Sequence, residues 1–160
     1  MTIAFDGKIL ASDSHRLLGS ESKKLFKALT EWGEALVGIE GSYQDVALFL
    51  EYLEAGNPRP KLSKGFEALL VKCDGTVELF DSDVFHYRPK KPMCAIGTGS
   101  QYAVGAMYCG KTADVAIEIA IECDVVTQGP VQKAMLVDAE AYNIVQMMGL
   151  GAQIAKAMED

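Results

Sequence analysis

The sequence predicts an α+β fold, and three observations carry that prediction. Short strand-like runs are joined by tight turn pairs, Asp6-Gly7 and Asp74-Gly75, the strongest two-residue hairpin signals. Helical runs begin at polar caps, Ser42 and Thr112. The elements come in blocks (strands, a helix, strands, helices, then a strand and a helix) and not in strict β-α alternation.

Ile3 to Phe5 is the first strand, Asp6-Gly7 the turn, and Lys8 to Ala11 the return strand. Leu17 to Lys27 reads as a turn and a short strand, and Ala35 to Ile39 as a buried strand running into Glu40-Gly41. Ser42 caps a helix, with Asp45 completing a shortened capping box. Val46, Phe49, Leu50 and Leu53 follow at helical spacing until Gly56-Asn57-Pro58 stops the helix. Residues 57–65 hold Pro58, Pro60 and Gly65 and are too short and broken for a full helix. Phe66 to Val71 and Thr76 to Phe80 form a hairpin about Asp74-Gly75, and Val84 to Tyr87 is a short strand or extended link. Met93 to Ile96 leads into Gly97-Thr98-Gly99-Ser100, then a helix runs from Gln101 to Tyr108 and ends at Gly110. Thr112 caps the next helix, which puts Val115, Ala116, Ile119, Ala120 and Cys123 on one face. Gly129-Pro130 breaks the chain before a strand over Val131 to Val137. Asp138 caps a final helix through Ile144, Val145 and Met148.

The 160 residues are expected to form a single domain, 1–160, with a sizeable core. A formal net charge of −7 opposes a nucleic-acid partner. The densest basic stretch, Arg88 to Lys91, is broken by Pro89 and closed by Pro92. No apolar run approaches the roughly 20 residues of a membrane helix, so no membrane partner is expected. An acid and a glycine within the first turn of sequence argue against a signal peptide. Cys73, Cys94, Cys109 and Cys123 lack metal or redox spacing and read as reduced, mostly buried thiols of a cytoplasmic protein. His15 and His86 read as surface residues without a second metal ligand, and no cofactor motif is found. Gly97-Thr98-Gly99-Ser100 is not a nucleotide loop, because Tyr102 stands where Gly-x-Gly-x-x-Gly needs its last glycine.

The first hairpin brings Asp13 back near the start of the chain, and Lys24 follows after another turn. A chain-end threonine, an acid and a lysine are the parts of an N-terminal-nucleophile hydrolase, in which the hydroxyl attacks and the α-amine takes its proton. Thr2-Ile3-Ala4, Ala11-Ser12-Asp13 and Lys24-Leu25, followed by Gly97-Thr98-Gly99-Ser100 and Asp124-x-x-Thr127, resemble in type and order the words of the proteasome β-subunits and the bacterial proteasome-like ring peptidases. The resemblance spans nearly the whole chain, with a shortened middle. It implies a four-layer α-β-β-α sandwich of two antiparallel sheets. It implies a threonine-type endopeptidase, with a peptide or unfolded-protein substrate added as a strand beside the site. It implies a homo-oligomeric ring, with an unfoldase as a further partner.

Residue by residue, the resemblance makes Thr2 the nucleophile, Lys24 the cation that tunes the α-amine, and Asp13 the group that orients Lys24. Thr98, Asp124 and Thr127 surround the same centre, and Glu40-Gly41 is the oxyanion loop. Most also have a plain reading: Thr2 as a β-branched strand residue, Asp13 as a turn residue, Lys24 in a solvated cluster with Lys23 and Lys27, Thr98 in a tight turn that caps the following helix, and Asp124 and Thr127 as helix-end polar groups. Lys23 is the other candidate for the Lys24 role. Three departures matter, the first being that residues 57–65 leave no room for the family's second antiparallel helix, which bears on ring size. The family begins Thr-Thr-Ile, whereas this chain begins Met1-Thr2-Ile3, so Met1 falls in the nucleophile slot and Thr2 one residue beyond it. A one-residue slip turns a strand side chain to the other face. The family also prefers a small residue where Glu40 stands, and an inward carboxylate there would oppose a developing oxyanion. These departures predict weak or absent activity, and keep open a catalytically inactive ring or scaffold protein of the same fold.

Overall fold

In the computed structural model the described residues are 1–15, 22–31, 33–56, 58–84 and 86–135. The expected helix from Asp138, the end of the Val131–Val137 strand, the start of the Leu17–Lys27 segment and the side chain of His86 lie outside what is described. Nine strands and three helices occur among the described residues: β1 (Thr2–Phe5), β2 (Ile9–Ser12), β3 (Leu25–Thr30), β4 (Gly33–Glu40), α1 (Tyr43–Ala55), β5 (Glu67–Val71), β6 (Val77–Phe80), β7 (His86–Tyr87), β8 (Cys94–Gly97), α2 (Ser100–Tyr108), α3 (Ala113–Cys123) and β9 (Gln132–Met135). They form two antiparallel sheets, ordered β8-β1-β2-β9 and β3-β4-β5-β6-β7. Helices α2 and α3 cover the first sheet and α1 packs on the second. This is the expected sandwich.

Side-chain alternation along β1 sets the layers. Ile3 and Phe5 face the second sheet and pack with Leu10, Leu36, Leu69 and Ile96 in the inter-sheet core. Burying a side chain of that size contributes about 1.5–3 kcal/mol. Ala4 faces the other way, with Ala11, toward Ala103, Ala113 and Ala116, and these small residues let the helices lie close on the sheet. By the same alternation Thr2 faces the helix layer. On the second sheet Phe49 of α1 meets Phe66 and Phe80 with ring centroids 5.1 Å apart. No helix follows α1 between residues 58 and 65.

Several local readings shift. The first turn centres on Gly7-Lys8, because Phe5 pairs with Leu10 and Asp6 N–H donates to the Ile9 carbonyl. Asp6 braces that turn, its Oδ1 accepting from Lys8 and Ile9 N–H, and its Oδ2 accepts from Ala113 N–H at 2.8 Å at the start of α3. Ser42 caps α1 as expected, accepting from Asp45 N–H. The Asp45 carboxylate instead accepts from Ser63 N–H and ties down the link after α1. The buried face of α3 is Ala113, Ala116, Ile117 and Ala120, and Cys123 is exposed. The thiols are not mostly buried: only Cys94 is, its pKa pushed up to about 12 by burial, while Cys73, Cys109 and Cys123 are exposed. His15 is half-buried, not a surface residue.

Candidate active site

The expected residues meet at one end of the sandwich. Thr2 pairs with Gly97 and Ile3 with Ser12, so β1 starts between the Asp13 turn and the end of β8. Gly97 is required there. Its φ is +96°, and a Cβ on it would lie 2.1 Å from the Met1 carbonyl oxygen. Gly99 is constrained by packing alone, since its Cβ would lie 2.3 Å from Thr2 Oγ1.

The α-amine of Met1 is the hub. It donates to Val126 O at 2.5 Å, Thr127 Oγ1 at 2.8 Å and Thr98 Oγ1 at 3.1 Å. Carboxylate oxygens of Asp13 and Asp124 each stand 3.6 Å away. Asp124 Oδ2 accepts from Thr98 at 2.6 Å and from Thr127. Burial works against its charge, but these two hydroxyls and the nearby α-amine hold the Asp124 carboxyl below its usual range.

Thr2 is not at the hub. Its side chain is buried on the helix side, with Oγ1 2.9 Å from Thr127 Oγ1. The Thr127 proton is committed to Asp124, so the Thr2 hydroxyl is the donor of that pair. Its backbone is pinned as well: Thr2 N–H donates to Asp13 Oδ1, and Asp13 N–H to the Thr2 carbonyl, each at 3.0 Å.

Lys24 is the buried lysine, whereas Lys23 is exposed, its ammonium 5.3 Å from the Phe26 ring centroid. Lys24 Nζ donates to Asp13 Oδ1 at 2.6 Å, the same oxygen that holds Thr2 N–H. It also lies 2.9 Å from Glu40 Oε2. That oxygen is buried and makes no hydrogen bond, so the contact is an ion pair without donor alignment. The Glu40 side chain therefore points inward.

Sequence reasoning missed two participants. Val126 acts through its carbonyl, which carries no side-chain signature. Glu67 sits opposite Glu40 across β4 and β5. Its carboxyl is pushed up by burial and by the charge of Glu40, against a lowering hydrogen bond from the Gly97 backbone. Its one sequence signal is a charged residue opening an otherwise apolar strand.

No protein-family model matches the sequence, and no curated protein sequence does. Solved structures do match. The eukaryotic HslV from Trypanosoma brucei superposes with a TM-score of 0.64 at 18% identity, over 84% of this chain and 98% of that one. BPH from Thiobacillus denitrificans, in complex with epoxomicin, gives a TM-score of 0.60 at 19% identity, over 85% and 98%. Anbu, an ancestral beta-subunit from Yersinia bercovieri, gives 0.58 at 12% identity, over 99% and 96%. The chain has the proteasome-like N-terminal-nucleophile hydrolase fold.

Proposed function

We propose that this chain is a proteasome-like N-terminal-nucleophile hydrolase of the threonine-peptidase type, inactive while Met1 is attached. The observation that carries this reading is the hub itself. Asp13, Thr98, Asp124 and Thr127 converge on the α-amine of residue 1, and Lys24 is bound to Asp13, but residue 1 has no hydroxyl. With Met1 attached, the Thr2 nitrogen is an amide and cannot act as a base. In the working arrangement a hydroxyl on residue 1 attacks the peptide carbonyl and the α-amine takes its proton. Lys24 tunes that amine, Asp13 holds Lys24, and the loop at Glu40-Gly41 supports the oxyanion.

Removal of Met1 alone is not expected to suffice, because Thr2 would have to move about 3.3 Å along the strand and reverse its face. Inserting a threonine between Met1 and Thr2 restores the family spacing. After removal of Met1, confirmed by intact mass, that variant should cleave fluorogenic peptides and lose this when the inserted residue is alanine. Cleavage by a Met-free chain without the insertion, abolished by Thr2→Ala, would instead make Thr2 a working nucleophile.

A second reading is a non-catalytic ring or scaffold protein, favoured by Glu40 on Lys24 where a small residue is expected. Both readings include a cytoplasmic homo-oligomeric ring. Exposed Tyr43 and Leu48 on α1 and Tyr102 and Tyr108 on α2 support contacts through helix faces. A monomer by light scattering at micromolar concentration would refute the ring. Peptide substrate and an unfoldase partner belong to the catalytic reading.

A further inference from the structure

The end of the second sheet away from the hub, at the Thr30–Gly33 turn, is open on its helix side. α1 stops there at Gly56, and no helix follows between residues 58 and 65. A cavity of about 420 Å³ is left between the last turn of α1 and the sheet. Tyr52 and Leu53 of α1, with Leu70 and Phe80 of the sheet, give it apolar walls. The charged residues that line it are all acids: Glu31, Glu54 and Glu78. Glu78 is buried and engaged within the chain, 2.9 Å from Lys72 Nζ and 3.7 Å from Arg88. Glu31 and Glu54 are exposed and make no ion pair among the described residues. α1 has no basic residue in its last turn, so its terminal carbonyls add to the negative charge.

The opposite charge is concentrated at one edge of the same sheet. β7 is the edge strand, and it runs into Arg88-Pro89-Lys90-Lys91-Pro92. Three of the chain's 15 lysines and arginines fall there, in a chain of net charge −7. Arg88, Lys90 and Lys91 are exposed, and so is Tyr87 beside them. Pro89 and Pro92 restrict the backbone, and Lys91 Nζ rests 5.0 Å from the centroid of the Tyr108 ring. A segment ordered in this way loses less freedom when it makes a contact. Two copies of an acidic chain repel each other over most of their surface. The acid-rimmed cavity and the basic segment are surfaces on which attraction replaces that repulsion.

We propose that the cavity at the end of α1 is a docking site for residues 87–91 of a second copy of this chain. The basic side chains face Glu31 and Glu54, and Tyr87 supplies apolar surface for the walls. The proposal rests on the self-association considered above but on no catalytic step, and it involves no residue of the hub.

The test reads the size of the full chain by sedimentation velocity over a range of concentrations, with two sets of charge reversals. One is Lys90→Glu with Lys91→Glu on the segment, the other Glu31→Lys with Glu54→Lys on the cavity. All of these residues are exposed, so melting temperatures should stay within about 3 °C of the parent. Each set should raise the concentration of half-assembly at least about tenfold. An equimolar mixture of the two variants should associate again, because one brings the parent cavity and the other the parent segment. Both sets in one chain should restore self-association, with the charges exchanged. Assembly unchanged in both variants, or a mixture no larger than its components, would overturn this contact and leave the ring to other faces. A monomeric parent would overturn the ring and the contact together. If either double reversal fails to fold, Glu54→Gln and Lys90→Gln take its place, and assembly equal to the parent in both would overturn the contact.

Discussion

Around the Met1 amine, the side built on the first sheet and the side built on the second use carboxylates in opposite ways. Asp13 and Asp124 each face cations and hydroxyl or amide donors, and Asp124 is held below its usual range. Glu40 and Glu67 face each other across β4 and β5, where like charges directly opposite cost stability. Glu40 Oε2 touches Lys24 without a hydrogen bond, and Glu67 is pushed up. The machinery that holds an amine is complete. On the proposed catalytic reading, Glu40 opens the loop that would meet the developing oxyanion, and its charge is the wrong sign for stabilising one. On that reading, holding the amine and processing a substrate are separable properties of one centre.

The largest test of that separation is Lys24→Met. Lys24 is almost fully buried and is the cation shared by both sides. Its removal leaves Asp13 and Glu40 without it, and breaking a buried pair costs about 3–5 kcal/mol. A fall in melting temperature of roughly 10 °C is expected by calorimetry. A change of a degree or two would mean that Asp13 is held by its backbone donors alone.

Next is Glu40→Ala, made in the chain carrying the inserted threonine. The change removes the carboxylate that the proposed reading sets beside the reacting carbonyl, while Lys24 keeps its hydrogen bond to Asp13. The rate of peptide cleavage should rise about tenfold or more with little loss of thermal stability. An unchanged rate would show that the Glu40 charge does not reach the reacting carbonyl.

How much of this was legible depended on whether the signal was local. The Ser42 cap and the Gly56 stop are dictated by neighbours in the chain, and both were readable. That Thr2 faces away from the slot of residue 1 followed from strand period once Met1 was aligned with the family's first threonine. The Asp6 bond to Ala113 and the Glu67 bond to the Gly97 backbone were not readable, because each joins elements far apart in sequence. The face of α3 was misjudged for a related reason. Alanines bury there because the helix lies close over Ala4 and Ala11, which helix periodicity alone does not specify.

The opposite shifts of Asp124 and Glu67 predict opposite responses to acid. The folded-state pKa of Asp124 lies below its usual value of 3.8, so its stabilisation is present above that value and lost as pH falls through the folded value. Below about pH 4 the melting temperature of the parent chain should therefore fall more steeply than that of Asp124→Asn. Parallel curves would mean that the two threonine hydroxyls do not favour the charged form.

Glu67→Gln is the smallest change and the most discriminating. The folded-state pKa of Glu67 lies above its usual value of 4.5, so the native state binds the proton more tightly than the unfolded chain. Stability then falls as pH rises from that value through the folded one, and the cost persists at neutral pH. Glutamine keeps an oxygen to accept from the Gly97 backbone and carries no charge to oppose Glu40. The variant should melt about 1–3 °C higher than the parent at pH 7, and the gain should vanish below about pH 4.5. A gain that persists in acid would assign the effect to packing and not to charge. A loss at pH 7 would mean that the carboxylate is needed by Gly97, and the two sides of the centre would then differ less than their shifts imply.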